Sequence, residues 1–439
     1  MHFKTLDQWL DWQISLNPRE IELGLSRIST VARRLNLLSP SFPIINVAGT
    51  NGKGSSVILL DAILSAAGYR VGRYTSPHLL RYNERICIGG IEATDAELCQ
   101  AFDLIEEVRD GIALTFFEFS TLAALLVFQR NEIDLAVLEV GLGGRLDAVN
   151  IFDPDIALVT AIDIDHTDWL GHDRESIGFE KAGIFRAQCP AVCSDANPPQ
   201  RLIEHATQLQ APLYCLGHDF TYQKNNEKTW NWQVIENKTD FKEFKEFKKA
   251  RFLNLPLPRL PGDFQLQNAA GVLMILTLLN HGKRHVSESA IHEGFIHAKI
   301  LGRFQVLSGR VTRILDVAHN PASAKALADL LRQHPCQGKT HAVVGMLKDK
   351  DIAGVLAVMR DSIDYWHIAP LPLKVPRAAS LKCLSDHLET MGITHRIIFS
   401  ASITKAYQYA IAHAQEEDRV IVFGSFYAVA EVLRVESLE

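Results

Sequence analysis

The chain has 439 residues, of which 47% are hydrophobic and 22% charged. This length favours two or three domains, and the composition is that of a soluble globular protein. The formal net charge of −6 excludes a generally basic surface, so the overall charge does not favour nucleic acid as a partner.

The N-terminal residues and the cysteines indicate the cellular compartment of the protein. No run approaches the roughly 18 apolar residues that span a bilayer, so we expect no membrane segment. Asp7 and Asp11 lie in a helix-like start without an apolar core region, which argues against a signal peptide. The 7 cysteines are scattered singly, as expected for free thiols in a reducing compartment. These features predict a cytoplasmic protein.

A glycine-rich segment follows the first predicted strand. The apolar run 42–47 predicts that strand, and residues 55–67 predict a helix that ends before Gly68. Glycines let backbone N–H groups approach phosphate oxygens, and the start of a helix adds partial positive charge. Lys53 would reach the terminal phosphates as a point charge, so the segment 48–55 predicts a nucleotide site.

The match to the P-loop pattern is incomplete. Val47 occupies the position of the first glycine of the pattern, and Gly54 separates Lys53 from the hydroxyl group of Ser55. A glycine-rich turn with a chance lysine is the alternative interpretation. We favour nucleotide binding because the loop joins a predicted strand to a predicted helix, with Ser55 or Ser56 placed to help bind Mg²⁺.

Apolar segments without alternation continue along the chain. Residues 1–41 are predicted to be helical with a break at Asn17 and Pro18. Further strands are predicted at 69–74, 134–140, 156–162 and 213–216, and further helices at 95–109, 118–129, 269–279 and 287–298. Buried strands separated by helices indicate an α/β fold with a mostly parallel sheet covered on both faces.

Residues 220–252 form a lysine-rich insert. Its alternation at Trp230, Trp232 and Val234 predicts an exposed hairpin. The following phenylalanines, Phe241, Phe244 and Phe247, predict a solvated hairpin or short helix with one apolar edge. The lysines alternate with acidic residues, so we do not interpret the insert as a nucleic-acid patch.

The α/β pattern restarts after a predicted hinge at 301–304. Strands are predicted at 313–317, 341–344, 365–369 and 420–423, and helices at 322–331, at 351–359 and from Phe426 onward. We therefore predict a P-loop domain over residues 1–298 and a smaller, Rossmann-like α/β domain over 299–439.

Polar side chains at predicted strand ends suggest a metal site. Glu139 lies in an otherwise apolar strand, where a carboxylate is costly unless it is paired or binds a cation. Ser76 and His166 follow two other strands of the same predicted sheet. Together the three could bind Mg²⁺ beside a triphosphate. The alternatives are a hydrogen-bonded core carboxylate for Glu139 and a structural role for His166.

Seven segments together resemble one known family. They are Ala48–Ser55, Thr75–Leu79, Glu139–Asp147, Asp165–Gly171, Glu180–Ile184, Leu301–Phe304 and Asp316–Pro321. In this order they are similar to the folylpolyglutamate synthases of the Mur ligase superfamily, and the resemblance runs from about Ile21 to the C-terminus. It implies a P-loop domain like the central domain of the Mur ligases.

The resemblance also implies a reaction. The family uses ATP to ligate L-glutamate to a folate or pteroate carboxylate through an acyl phosphate, releasing ADP and phosphate. It implies ATP and one or two Mg²⁺ ions as cofactors, and it allows a monovalent cation. We expect a monomer whose partners are small molecules, with neither nucleic acid nor membrane among them.

Individual roles follow from the matched positions. The resemblance assigns the phosphates to Thr50, Asn51, Gly52, Lys53, Gly54 and Ser55, further ATP contacts to Asn268, Arg303 and Asp316, and Mg²⁺ to Ser76, Glu139 and His166. Lys181 matches a lysine that the family carries as a carbamate. His319 and Ser425 match loops that meet the incoming glutamate. With Lys53 and Lys181, His319 completes the predicted catalytic set, because it or a carboxylate could take the proton of the amine.

Three further segments resemble the pterin site of the bacterial bifunctional enzymes. Their residues are Glu22, Leu23 and Gly24; Thr115, Phe116, Phe117 and Glu118; and Leu146, Asp147 and Ala148. Those enzymes make dihydrofolate from dihydropteroate and also add glutamate to tetrahydrofolate and its polyglutamates. We therefore predict both activities, with a mono-functional folylpolyglutamate synthase as the alternative.

Other classes of protein fit the sequence less well. A peptidoglycan ligase would need a UDP-binding N-terminal domain, and the roughly 40 residues before the first predicted strand are too few for one. A GTPase would need a guanine-reading segment at the end of a buried strand. The only candidate, residues 237–240, lies in the charged insert. A purely structural role would leave Glu139, Lys181 and Arg303 unexplained.

Overall fold

The computed structural model describes residues 3–17, 19, 21–235, 250–281, 284–373, 375–394 and 396–437. The chain divides into two compact units. The first comprises Met1–His78, Tyr82–Arg259 and Asp263–Lys299, and the second comprises Leu79–Arg81, Leu260–Gly262 and Ile300–Glu439. The sequence predicts one continuous boundary near residue 299. In the structure, two short segments from earlier in the chain, Leu79–Arg81 and Leu260–Gly262, also pack with the second unit.

The first unit contains an 8-stranded sheet in the order β4-β3-β2-β5-β1-β6-β7-β8. The strands are β1 Ile44–Ala48, β2 Val71–Tyr74, β3 Ile86–Ile88, β4 Ile91–Glu92, β5 Leu135–Glu139, β6 Ile156–Val159, β7 Ala191–Cys193 and β8 Leu213–Cys215. The pairs β2–β3 and β3–β4 are antiparallel, and the other pairs of this sheet are parallel. Every residue of β1 and β5 is buried, which explains their apolar sequences and confirms the predicted parallel sheet.

Helices cover this sheet. They are α1 Leu6–Leu16, α2 Ser26–Arg34, α3 Lys53–Ala66, α4 Asp95–Arg109, α5 Phe116–Arg130, α6 Thr167–Leu170, α7 Arg174–Ala182, α8 Gln200–Leu209, α9 Phe264–His281 and α10 Glu288–His297. Helices α4 and α5 each begin with a capping box, formed by Thr94 with Glu97 and by Thr115 with Glu118. Within the described part of the chain, no helix is long and apolar enough to cross a membrane.

The insert forms a small antiparallel sheet, and its predicted exposure is wrong. The strands β9 Phe220–Lys224, β10 Thr229–Val234 and β11 Arg251–Pro256 pair in the order β11-β10-β9. Trp230 and Trp232 are fully buried. Their indole N–H groups donate to the carbonyl oxygens of Pro256 at 3.0 Å and of Ala270, in α9, at 3.1 Å. The alternating face therefore packs on a helix and not against water.

The later part of the insert lies outside the described residues. This covers the predicted apolar edge at Phe241, Phe244 and Phe247, and the segment 237–240.

The second unit contains a 6-stranded sheet in the order β12-β13-β17-β14-β15-β16. The strands are β12 Gln305–Leu307, β13 Thr312–Leu315, β14 Thr340–Val344, β15 Tyr365–Ile368, β16 Ile397–Phe399 and β17 Arg419–Phe423. The helices are α11 Pro321–Gln333, α12 Ile352–Met359, α13 Leu381–Thr390, α14 Ile403–His413 and α15 Phe426–Glu436. Strand β12 is antiparallel to β13, and the other pairs are parallel.

Two apolar clusters lie on the two faces of this second sheet. One packs α11, α12 and α13 against it, and the other packs α14 and α15. Helices on both faces of a mostly parallel sheet confirm the Rossmann-like prediction. The sequence patterns do not indicate β12, α13, β16 or α14.

Candidate active site

The glycine loop between β1 and α3 depends on two glycines. Gly52 precedes α3 with a φ of +93°, and a Cβ atom there would lie 2.3 Å from Asn268 Oδ1. At Gly49 a Cβ atom would lie 1.8 Å from Thr160 Oγ1. The Ser56 N–H group donates to the Gly52 carbonyl oxygen at 2.9 Å, which starts the helix. Side chains are thus excluded where the loop approaches the N-terminus of α3, the end of a helix at which anions bind.

Thr50 holds this loop to the segment that follows β6. Its N–H group donates to the Ala161 carbonyl oxygen at 2.8 Å. Its hydroxyl group donates to the Asp163 carbonyl oxygen at 2.9 Å and accepts from the Asp163 N–H group at 3.0 Å. These bonds give Thr50 a role in shaping the loop, so phosphate binding would fall mainly to the residues that follow it.

Lys53 bends back over the loop. Its Nζ atom donates to the carbonyl oxygens of Gly49 at 2.9 Å and of Thr50 at 3.1 Å. Its charge also reaches the far side of the site, where it lowers the pKa of Lys181 and opposes the rise in the pKa of Asp147. The ammonium group therefore lies on the predicted phosphate loop, within electrostatic reach of these two side chains.

Asn268 approaches the loop from α9, together with a residue that the sequence analysis missed. Gln265 Nε2 donates to Ser55 Oγ at 3.2 Å, and Asn268 Nδ2 donates to Gln265 Oε1 at 3.0 Å. All three side chains are buried. Gln265 lies three residues before Asn268, so both face the same side of α9. The spacing of three residues from Asn268 is the sequence feature that could have identified Gln265.

Glu139 and Ser76, two predicted metal ligands, lie side by side. Glu139 ends β5 and is buried, and its Oε2 atom accepts a hydrogen bond from the Ser76 N–H group at 3.0 Å. A Cβ atom on Gly54 would lie 3.6 Å from the same Oε2 atom. The carboxylate therefore adjoins the start of α3. A buried anion and a hydroxyl group next to a phosphate loop fit a hard divalent ion.

His166, the third predicted ligand, begins α6 with a φ of +52°. A non-glycine residue in this region is strained, and such strain is concentrated at functional sites. Its N–H group donates to Asp165 Oδ1 at 2.8 Å, and its Nε2 atom lies 3.9 Å from Asp165 Oδ2. Among the described residues, no cluster of three or more His, Cys, Asp and Glu side chains could hold a metal ion. The predicted set contains only two such side chains, and its assignment stays a prediction.

Lys181 is a buried lysine near the end of α7, 2% exposed. Burial and the charge of Lys53 lower its pKa to about 7, while Asp165, Asp147 and Glu180 act in the opposite direction. A pKa near 7 leaves a large share of the amine neutral at neutral pH. A buried lysine with so low a pKa is typical of a functional site.

Asp147 is the buried counterpart of Lys181. Burial raises its pKa to about 7, although hydrogen bonds and the charge of Lys53 oppose the rise. Its carboxylate accepts from the N–H groups of Leu142 at 2.9 Å and Val149 at 3.0 Å. It thus closes the loop after β5 and caps the short 3₁₀ helix Ala148–Ile151.

The three predicted pterin segments meet in the structure. The Gly24 N–H group donates to the Leu146 carbonyl oxygen at 3.1 Å, which joins the first segment to the third. A Cβ atom on Gly141 would lie 2.6 Å from Phe117 Cζ, so the second segment packs on the loop after β5. Leu23 is partly buried and Ala148 is buried.

Aromatic side chains cluster at the start of α5. Phe117 stacks on Tyr74 with ring centroids 5.9 Å apart, and Phe116 meets the edge of Tyr82 at 5.7 Å. The Arg85 guanidinium lies 5.3 Å from the centre of the Phe116 ring. Burial and, to a smaller extent, the charge of Asp147 raise the pKa of Tyr74 in this cluster to about 12. Flat rings near a carboxyl group could bind a planar heterocycle.

Asp316 and Arg303 lie together in the second unit. Asp316 accepts hydrogen bonds from the N–H groups of Phe304 and Ala318, both at 2.8 Å. Burial raises the pKa of this carboxyl group, and the Arg303 guanidinium opposes the rise. Asp316 thereby joins the predicted hinge to the loop after β13.

His319 and Ser425 follow strands of the second unit. His319 Nδ1 lies 2.8 Å from the Val317 carbonyl oxygen, and the Phe426 ring centre lies 6.0 Å from that of His319. The Ser425 hydroxyl group accepts from the Ala428 N–H group at 3.0 Å and caps α15. A substrate contact for either residue stays a prediction.

This architecture is that of a Mur ligase. Residues 47–276 match the sequence model of the Mur ligase middle domain. Residues 302–426 match that of the Mur ligase glutamate ligase domain.

Full-length relatives narrow the assignment. The chain is 43% identical over 430 residues to the dihydrofolate synthase/folylpolyglutamate synthase of Escherichia coli, covering 98% of this chain and 95% of the relative. Its fold matches Escherichia coli FolC in complex with DHPP and ADP, with a TM-score of 0.89, 42% identity and coverage of 99% and 98%. It also matches a bifunctional folylpolyglutamate synthase/dihydrofolate synthase with Mn, AMPPNP and L-glutamate bound (TM-score 0.88, 44% identity, coverage 99% and 98%). The chain therefore belongs to the dihydrofolate synthase/folylpolyglutamate synthase family.

Proposed function

We propose that this protein uses ATP to add L-glutamate to dihydropteroate, giving dihydrofolate, and to tetrahydrofolate and its polyglutamates. One observation carries the proposal. The loop after β5 starts beside the N-terminus of α3, where a Cβ atom on Gly54 would lie 3.6 Å from Glu139 Oε2, and it ends at Asp147 of the predicted pterin site. An acceptor bound at one end of this loop would thus present its carboxylate to the phosphates at the other.

The reaction we propose has two steps. A carboxylate oxygen of the acceptor attacks the terminal phosphorus of ATP, and ADP leaves. The glutamate amine then attacks the acyl carbon, a proton is lost, and phosphate leaves. Lys53 and the N-terminus of α3 stabilise negative charge on the transferred phosphoryl group. A divalent ion held by Ser76, Glu139 and His166 would neutralise further phosphate charge.

We propose that Lys181 acts as a carbamate. Its neutral amine adds CO₂ and loses a proton, which replaces a cation by an anion. Its burial beside Lys53 and its pKa of about 7 support this proposal, because only the neutral amine reacts with CO₂. The anion would offset the charge of Lys53 and give the divalent ion another oxygen donor.

We propose that His319 takes the proton of the attacking amine. With Nδ1–H donated to the Val317 carbonyl oxygen, Nε2 is the basic nitrogen of the ring. We also propose Arg303 and Asp316 as ATP contacts, because they match the positions of such contacts in the family. A monovalent cation, a monomeric state and a cytoplasmic location likewise stay predictions.

Phosphate release from ATP tests the proposal. Purified protein would receive Mg²⁺ and L-glutamate, with dihydropteroate or tetrahydrofolate offered separately. Release with both acceptors is the expected result. Release with tetrahydrofolate alone would favour the mono-functional alternative. Release with neither, in preparations that still bind ADP, would contradict the proposed substrates.

A further inference from the structure

Arg27 joins two of the three pterin segments, although the sequence analysis assigns it no role. It lies in the first turn of α2. Its Nη1 atom lies 3.1 Å from Glu22 Oε1. Its Nη2 atom donates to the Glu22 carbonyl oxygen at 2.8 Å and to Glu118 Oε1 at 3.2 Å. The two acidic residues are far apart in the chain, and this guanidinium links their segments.

Glu118 is buried and both its oxygens are engaged. Oε2 accepts from the Thr115 N–H group at 2.7 Å in the capping box of α5, and Oε1 accepts from Arg27. Burial raises the pKa of Glu118, while Thr115 and Arg27 act to lower it. Its carboxylate is therefore an anchor for Arg27 and the start of α5, which accounts for Glu118 without a direct substrate contact.

The carboxylate of Glu22 is also held by hydrogen bonds. It accepts from Asn17 Nδ2 at 2.9 Å, and that amide group also donates to the Ala113 carbonyl oxygen at 3.2 Å. The hydrogen bond from Asn17 lowers the pKa of Glu22, and Arg27 contributes to this lowering. The segment from Glu22 to Gly24 is thus held against the chain that leads into α5.

We propose that Arg27 is a positioning residue of the acceptor site, an inference that rests on the proposed function. By bonding Glu22 and Glu118, it holds Gly24 where its N–H group meets the Leu146 carbonyl oxygen. The three segments then keep a fixed spacing around the pterin. A guanidinium suits this role because its planar fork bonds two acceptors at once, which an ammonium group does less well.

The expected effect of losing Arg27 is on acceptor binding. Arg27→Gln should raise the KM for dihydropteroate about 10-fold, the equivalent of one charge-assisted hydrogen bond of about 1.4 kcal/mol. The kcat should change by less than about 2-fold, because the glycine loop and Lys181 are untouched. The KM values for ATP and glutamate should stay as in the wild type. Arg27→Lys should restore only part of the affinity.

Arg19→Gln is the matched control. Arg19 also pairs with Glu22, at 3.3 Å, but its side chain is 71% exposed and the pair lies on the surface. Surface pairs contribute little, so this variant should keep the wild-type KM for the acceptor. The thermal midpoint and ADP affinity of each variant would be measured to show that it folds and binds nucleotide.

A double-mutant cycle separates positioning from a general loss of stability. If Arg27 acts through Glu118, Arg27→Gln and Glu118→Gln together should raise the KM little more than either alone. Additive effects would overturn the proposal. So would an unchanged acceptor KM in a folded Arg27→Gln variant, or a fall in kcat with KM unchanged.

The wild-type assay distinguishes failure of the proposed function from failure of the proposed role of Arg27. If the wild type turns over tetrahydrofolate only, the same comparisons are made with that acceptor, and the proposed bifunctionality fails alone. If it turns over neither acceptor, the proposed function fails and the role of Arg27 in acceptor binding fails with it.

Discussion

Both units bury ionisable side chains, but they do so in different surroundings. In the first unit Lys181 and Asp147 lie around the loop after β5, and both have pKa values moved to about 7. In the second unit His341 and His367 lie on the neighbouring strands β14 and β15, with His341 Nδ1 3.1 Å from His367 Nε2. Asp418 lies 3.5 Å from His341 Nε2.

The location of the burial distinguishes the two cases. Parallel sheets bind ligands beyond the carboxyl ends of their strands, so a costly charge there indicates chemistry. Histidines on the strands themselves interact with residues of neighbouring strands. The free-energy cost of burying them should therefore affect the stability of the fold. Substitutions in the first region should therefore change activity more than stability, and those in the second should do the reverse. The predictions below test this contrast, and two of them pair a site residue with a similar residue elsewhere.

The largest effect is expected at Lys181. Lys181→Ala should lower the rate of phosphate release by about 100-fold or more, as when a group that stabilises the transition state is lost. Its thermal midpoint should stay close to that of the wild type or rise, because the cost of burying this polar group is removed with it. Adding acetate to the assay should restore part of the activity by supplying the missing carboxylate. Full activity in the variant without acetate would remove the proposed role.

Gly52 and Gly68 offer a matched pair of glycines. Both have left-handed backbones, with φ of +93° and +88°, but a Cβ atom would clash with Asn268 only at Gly52. Gly52→Ala should lower ADP affinity by at least about 10-fold, a cost of about 1.4 kcal/mol. Gly68→Ala should cost about 1 kcal/mol of stability, with ADP affinity unchanged. Isothermal titration with ADP and urea unfolding measure the two quantities. Equal ADP affinities would contradict this account of the loop.

His367 should make stability depend on pH without affecting activity. Burial, together with His341 and His413, lowers its pKa from 6.5 to about 4. Between these values the unfolded state binds more protons, so the free energy of unfolding should fall as the pH drops from 6.5 to 4. The loss is of order 3 kcal/mol. The pKa of His341 is also lowered, by burial, and this adds to the loss.

Urea unfolding at several pH values measures this contribution. His367→Leu should lose less stability than the wild type over the window from pH 6.5 to 4. The pKa of Asp418 is lowered, and its contribution should appear mainly below its ordinary value of 3.8. The same slope in His367→Leu and the wild type would show that other groups account for the pH dependence.

Local patterns predicted much of the first region. The strand, glycine loop and helix around Lys53 are adjacent in the chain, so their geometry could be inferred from spacing. Glu139 could be singled out as a lone carboxylate in an apolar strand. Asn268 and Lys181 could be named only through family resemblance, because nothing local distinguishes them from satisfied core residues. The structure adds their distances and partners.

Long-range contacts account for what the sequence analysis missed. Arg27 is significant only because folding brings Glu118 to it, and Gln265 only because α9 packs on the glycine loop. The alternation at Trp230 and Trp232 identified a strand, but a period of two does not tell which side faces water. Their burial depends on α9, which lies later in the chain.

The smallest effect is expected at the two capping boxes. Thr94 caps α4 in exposed surroundings, whereas Thr115 caps α5 beside the proposed pterin site. Either change to Ala should cost about 1 kcal/mol of stability, since one cap is lost in each. Only Thr115→Ala should also raise the KM for the acceptor, because the same box holds Glu118 in place for Arg27. Urea unfolding and acceptor titrations of both variants make the comparison. Equal acceptor KM values would show that α5 keeps its start without the cap, and that the Arg27 contacts alone hold the pterin segments together.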